Sequence, residues 1–169
     1  MAEQSTPSKA QLIETLRSTG AETAARLRSL PPEAFEQGRY ENGWNGRQIL
    51  AHIASIEWTY PRLIDLAREA STPRPPSPAG STAGRGMTGG INDYNERQVE
   101  KRAGASVAEL IEELETNRAA TVAAAESADE ALFGTPIRSA GGITGPLSSV
   151  ITAIAVLHVV QHVNDIVAQ

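Results

Sequence analysis

The chain is predicted to be an all-α domain, and three observations carry that prediction. Apolar residues recur with a helical period in four long stretches, Ser or Asn capping residues open several of them, and Pro or Gly clusters separate them. At 169 residues the whole span 1–169 reads as one domain, long enough to bury a core without staples.

Helix one is predicted from about Ser8 to Leu30. Ser8 with Gln11 makes a capping box, Leu12, Leu16, Leu27 and Leu30 follow, and Pro31 and Pro32 stop the helix. Residues 33–43 form a connection with room for a short helical turn. Asn45 caps helix two, which runs to about Ala70, and Pro61 inside it predicts a kink or a local loss of hydrogen bonding. Residues 71–90 hold nine Pro or Gly in twenty, which predicts a flexible crossover acting as lid or linker. At about 3.3 Å per residue such a crossover reaches about 66 Å, against roughly 36 Å for helix two, so helices two and three can run parallel.

Helix three is predicted in two pieces, Ile91 to about Arg102 and Ser106 to about Ala125, because Gly104 interrupts the pattern and Ser106 with Glu109 makes a fresh capping box. Val107, Leu110, Ile111, Leu114, Arg118, Thr121 and Val122 share a stripe that reads as scaffold. A Gly-rich connection from about Ser127 to Gly145 leads into helix four, with Pro146 suited to its first turn. Helix four is apolar nearly all round. Its second face, at Val156, Val160 and Val163, is covered either by the same chain or by the partner in a homodimer.

Composition narrows the function. Forty per cent apolar and 21% charged residues are ordinary globular values, and the absence of an apolar run of 18 residues argues against a membrane span. A net charge of −5 gives no general attraction to nucleic acid. The opening MAEQSTPSKA lacks a basic-then-apolar leader and there is no cysteine, so the expected location is the cytoplasm. Any thiol chemistry must therefore use the thiol of a cosubstrate, and the expected partner is a small molecule.

The chain has three histidines, and all fall on inward helix faces. His52 shares a stripe with Ile49, Ile53, Ile56, Tyr60, Leu63, Ile64 and Ala67, while His158 and His162 share one with Ile151, Ile154, Ala155 and Ile166. Residues four apart on a helix stand one above the other, roughly 6 Å between Cβ atoms, so HxxxH can bite one ion. Each histidine alone reads as a core residue satisfied by hydrogen bonds; together they read as a metal site, because three buried imidazoles without a ligand would each need a polar partner. If helices two and four pack antiparallel, all three are level, and a parallel helix three brings Asn92, Asp93 and Asn95 to the same end.

Around this cluster the sequence offers further residues, each with a plainer alternative. Asn95, on an inward stripe with Ile91 and Val99, is either a ligand-binding and catalytic amide or a structural one. Asp165 either fixes the tautomer of a ligating imidazole or is solvated near a helix end. Glu57 is a general base or a surface salt bridge. Trp44 walls a cofactor pocket or staples the entry to helix two. Arg47 holds a substrate carboxylate or is simply exposed. Three neutral nitrogen donors leave a coordination position open, which suggests catalysis. Imidazole ligation suits zinc, nickel, copper or iron, with zinc the first choice and nickel the second.

The stretches GWNGRQILAHIASIEW, IDLAREAS, DYNERQVEKRAGASVAELIEEL and LHVVQHVNDIV resemble the DinB/YfiT-like superfamily, especially its maleylpyruvate isomerase-like, mycothiol-dependent branch. The resemblance covers about residues 8–167, and one histidine in the second helix with HxxxH in the last is its most specific element. It implies a left-handed four-helix bundle in up-down-down-up order, with a divalent metal held by His52, His158 and His162. It also implies a thiol-dependent S-transferase or isomerase using mycothiol or bacillithiol. The alternatives are a hydrolase using metal-bound water and a noncatalytic metal- or ligand-binding bundle.

Overall fold

The structure is a computed structural model that describes residues 6–38, 40, 43–72 and 90–167. The predicted crossover at 71–90 lies outside the described residues from 73 to 89. The described chain is mostly helical, as expected, with one small hairpin.

Helix α1 spans Lys9–Ser29 behind the Ser8–Gln11 capping box, and the single turn α2 spans Glu33–Glu36. Helix α3, Gly46–Glu57, starts from a second capping box between Asn45 and Gln48. The predicted disruption at Pro61 is a full break: α3 ends in a turn at Trp58–Tyr60, and Pro61 opens a separate helix α4, Pro61–Ser71, where its missing N–H is harmless. Helix α5 is Gly90–Lys101, and α6 is Val107–Ser127 behind the Ser106–Glu109 box.

The Gly-rich connection from about 127 to 145 contains regular elements of its own. A 3₁₀ turn at Glu130–Gly134 precedes strands β1, Pro136–Arg138, and β2, Thr144–Pro146, which pair antiparallel with Ile137 opposite Gly145. Strands of three residues are too short to show alternation in a sequence.

The last helix is continuous but not uniform. Helix α7, Leu147–Ile151, runs through a π-helical stretch at Thr152–Leu157 into α8, His158–Val167. By length and composition this 21-residue run suffices to cross a membrane, contrary to the expectation from uninterrupted apolar runs. Here Leu147, Val150, Ile151, Ala155, Val159, Val163 and Ile166 are buried within the protein. Its second face is covered by the chain itself at Val156 and Val163, while Leu157 is exposed.

Two apolar clusters make the core. One gathers Leu12, Leu16, Tyr60, Leu63, Ile64, Phe133, Leu147 and Ile151; the other gathers Leu27, Trp44, Ile49, Leu50, Ile53, Leu110, Val159, Val163 and Ile166. Helix α6 packs along α1 and α3, and α3 also lies against α5 and α8. Between the clusters sits a buried ion pair. Arg118 of α6 binds Glu57 of α3 bidentately along one guanidinium edge, Nε to Oε1 at 2.5 Å and Nη2 to Oε2 at 3.1 Å. It also donates to the carbonyls of Leu16 in α1 and Ala155 in the π stretch. The hydroxyl of Tyr60 donates to the next π-stretch carbonyl, Ile154, at 2.9 Å. Side chains from α6 and from the α3–α4 turn thus occupy carbonyls of the π turn immediately before His158, and such turns re-phase whatever follows them.

Gly46 is fixed by close approach rather than by conformation. A Cβ there would stand 2.6 Å from the Ala34 carbonyl and 2.9 Å from Phe35 Cα, so the start of α3 can meet α2 only through glycine.

Candidate metal centre

The three histidines converge. Each offers a ring nitrogen within 4.8 Å of the other two, with His52 buried on α3 and the pair on α8 partly buried. Ring centroids are separated by 5.5 Å for His52 and His158, 5.1 Å for His52 and His162, and 4.4 Å for His158 and His162. Nε2 of His158 and Nε2 of His162 are 2.9 Å apart.

The environment keeps these rings neutral. Burial, reinforced by the two neighbouring imidazoles, lowers His52 to about 3, and burial with His158 lowers His162 to about 4 despite the opposing pull of Asp165. Burial lowers His158 too, with the Ile154 backbone opposing it. Nδ1 of His52 and Nδ1 of His158 are buried without hydrogen-bond partners. Three neutral imidazoles whose ring nitrogens gather within 4.8 Å of one another are a donor set that fits a divalent cation.

Tyr40 and Asp165 complete the cluster. The Tyr40 hydroxyl donates to Oδ2 of Asp165 at 2.5 Å and lies 2.6 Å from Nδ1 of His162. With its proton committed to the carboxylate, the phenol oxygen accepts from Nδ1–H of His162, and Nε2 is left with the lone pair. Asp165 therefore reaches the ring chiefly through Tyr40, its own oxygen being 3.6 Å from Nδ1. The Trp44 ring lies 5.4 Å from that of His52, tilted by 44°.

A cavity of about 640 Å³ opens beside His52 and His158. It is enclosed by the α3–α4 turn, the first turns of α5, the hairpin turn at Ser139–Ile143 and the π stretch.

The sequence model of the DinB superfamily matches residues 15–166 of this chain, nearly all of the described helical structure. The chain belongs to the DinB superfamily.

Among solved structures, this DinB-superfamily chain is similar to the crystal structure of the mycothiol-dependent maleylpyruvate isomerase, with a TM-score of 0.71 at 17% identity. The match covers 98% of this chain and 63% of the other, so the chain spans under two thirds of that protein. At that identity the likeness shows a shared all-α DinB fold. No curated protein matches the sequence.

Within this DinB fold the other sequence-predicted residues separate clearly. Asn95 lines the cavity, together with Tyr94 and Ile91, whereas Asn92 and Asp93 are exposed and take no part in its walls. Trp44 is buried in the core at the entry to α3, where its ring rests on that of His52, and it is not among the described residues that line the cavity.

Two expectations are corrected. Glu57 is not a surface salt bridge and does not line the cavity: it is fully buried and held by Arg118. Burial pushes its carboxyl up while Arg118 draws it down. Arg47 does not reach the cavity, because its guanidinium donates to the carbonyls of Ala103 and Ala105 at 2.8 and 3.2 Å, closing the loop between α5 and α6.

Sequence reasoning missed Tyr40, Tyr94 and the hairpin wall. Tyr40 lies in a connection with no periodicity to mark it, and Tyr94 sits one residue from Asn95, outside the stripe of Ile91, Asn95 and Val99.

Proposed function

We propose that this chain is a divalent-metal-dependent enzyme, a thiol-dependent S-transferase or isomerase, in which His52, His158 and His162 hold the ion. Zinc is the first choice and nickel the second. The observation that carries the reading is the convergence of three neutral imidazoles beside a cavity of ligand size. When bound, the ion supplies Lewis acidity that lowers the pKa of a coordinated thiol to near neutrality.

The protein's own residues do the rest. Tyr40 and Asp165 hold the proton on Nδ1 of His162, so Nε2 stays available as a donor. Trp44 buttresses His52, and the apolar walls of Ile56, Leu63 and Ile154 exclude water from the face of His52 and His158. The Asn95 amide, on the cavity wall, orients the substrate. The thiol belongs to a cosubstrate, mycothiol or bacillithiol, since the chain has no cysteine. Hydrolysis is the weaker reading, because Glu57 is engaged by Arg118. A left-handed bundle in up-down-down-up order is part of the same proposal, supported by α6 packing along both α1 and α3 and by α3 packing against α8.

The test is turnover of an electrophile by zinc-loaded protein with and without mycothiol, bacillithiol or glutathione. Conversion that needs both zinc and thiol is expected; turnover independent of thiol contradicts the proposal.

A further inference from the structure

The cavity beside His52 and His158 has a chemical character that the reaction class alone does not specify. Aliphatic side chains dominate its walls, among them Ile56, Leu63, Leu66, Ile91, Ile143 and Ile154. Apart from Arg62 and the histidines, the polar groups among the described lining residues are uncharged: the Asn95 amide, the Tyr94 phenol, the Trp58 indole, and the Thr59 and Ser139 hydroxyls. Two of these are already engaged, Thr59 donating to the Ile56 carbonyl and Ser139 Oγ accepting from the Ile143 amide. Tyr60 also lines the cavity, but its hydroxyl is committed to Ile154.

Apart from the neutral histidines, Arg62 is the one charged side chain among the described lining residues. It is 64% exposed, and its guanidinium faces Glu69 at 3.4 Å and Asp65 at 3.9 Å on its own helix. Taking a carboxylate out of water into such walls leaves the charge without a buried partner, which is unfavourable. Binding an apolar body there releases water from aliphatic surface.

We infer that this cavity takes an uncharged, largely apolar molecule, with one polar group directed at the His52 and His158 end and its body against Ile56, Leu66 and Ile143. This rests on the histidine end being the reactive end. A volume of about 640 Å³ lies in the middle of the usual range for small-molecule sites, so a bicyclic aromatic body fits. The Ile143 side chain on the hairpin turn is 41% exposed, which places it at the cavity mouth and makes it a tolerant site for substitution.

The experiment is displacement of the fluorescent probe N-phenyl-1-naphthylamine from the full chain by two ligands of matched shape, naphthalene-2-carboxamide and 2-naphthoate. Titrations are run with zinc and after its removal, so that a carboxylate held by the ion is distinguished from one held by the walls. The carboxamide is expected to displace the probe at roughly tenfold lower concentration than the carboxylate, or lower still. Ile143→Asp is expected to weaken probe binding by roughly tenfold without altering zinc content or the circular dichroism spectrum. Equal or tighter binding of 2-naphthoate under either condition overturns the inference, as does probe binding unchanged by Ile143→Asp. Zinc content measured on the same samples reports separately on the histidines: a chain that binds no zinc but still prefers the carboxamide refutes the enzymatic reading and leaves the cavity's preference standing.

Discussion

The hydroxyl of Tyr40 stands 2.6 Å from Nδ1 of His162, and this contact decides which nitrogen of the ring keeps its lone pair. Because the same hydroxyl donates to Asp165, the Nδ1 position must carry the proton and Nε2 must face His158 bare. Tyr40→Phe removes that relay while keeping the ring. Zinc affinity, measured by competition with a chelating dye, is expected to fall about 10- to 100-fold, and Asp165→Asn is expected to fall in the same direction. Wild-type affinity in Tyr40→Phe would show that His162 needs no orienting partner.

The three histidines also make the zinc-free protein sensitive to acid. In the folded chain burial holds His52 near 3 and His162 near 4, whereas an unfolded histidine takes its proton near 6.5. Between about pH 6.5 and 4 the unfolded chain therefore binds protons that the folded chain refuses. The contribution is complete above about pH 6.5 and is lost as the pH falls, at up to about 1.4 kcal/mol per pH unit for each of these histidines. Urea unfolding in the presence of EDTA at pH 7.5, 6 and 5 measures this. The slope should diminish in His52→Phe; an unchanged slope in that variant contradicts the assignment.

The Glu57–Arg118 pair is predicted to matter through its burial rather than through its attraction alone. Arg118→Met leaves a fully buried carboxylate and the carbonyls of Leu16 and Ala155 without their donor, so a loss of about 3–5 kcal/mol is expected in denaturant unfolding. The double variant Glu57→Leu with Arg118→Met removes the stranded charge and should recover much of that loss. The single Arg118 variant should also weaken zinc binding, because Ala155 belongs to the π turn that precedes His158.

Gly46→Ala tests the packing of α3 on α2. A Cβ at that position collides with backbone atoms of Ala34 and Phe35, which cannot swing aside as a flexible side chain could. The expected cost is about 1–3 kcal/mol of stability, read as a lower midpoint of chemical unfolding. Greater stability, as an ordinary Gly-to-Ala change in an open helix would give, would contradict the close approach.

What was legible in the sequence was local. Capping boxes at Ser8 and Ser106, the Asn45 cap and the break at Pro61 are written within a few residues of where they act, and HxxxH is a spacing rule of one helix. The placement of His52 also followed, because its stripe is regular from Ile49 onward.

The features that escaped are set by partners distant in the chain. The π turn receives hydrogen bonds from Arg118 of α6 and Tyr60 of the α3–α4 turn, and nothing in TAIAVL announces it. Tyr40 acquires its role only when the fold brings it against His162 and Asp165 of α8. One such partnership does carry a sequence signal: Arg118 falls in the packing stripe of α6, and an arginine buried there requires a buried partner, which Glu57 supplies.

The central claim is that three imidazoles hold one cation, and metal content tests it most directly. Protein purified without an affinity tag or added metal should carry about one divalent ion per chain by inductively coupled plasma mass spectrometry, with zinc predominating. His52→Ala, His158→Ala and His162→Ala should each lose most of it while remaining helical. Metal content near zero in the wild-type protein, or unchanged in all three variants, would contradict the account.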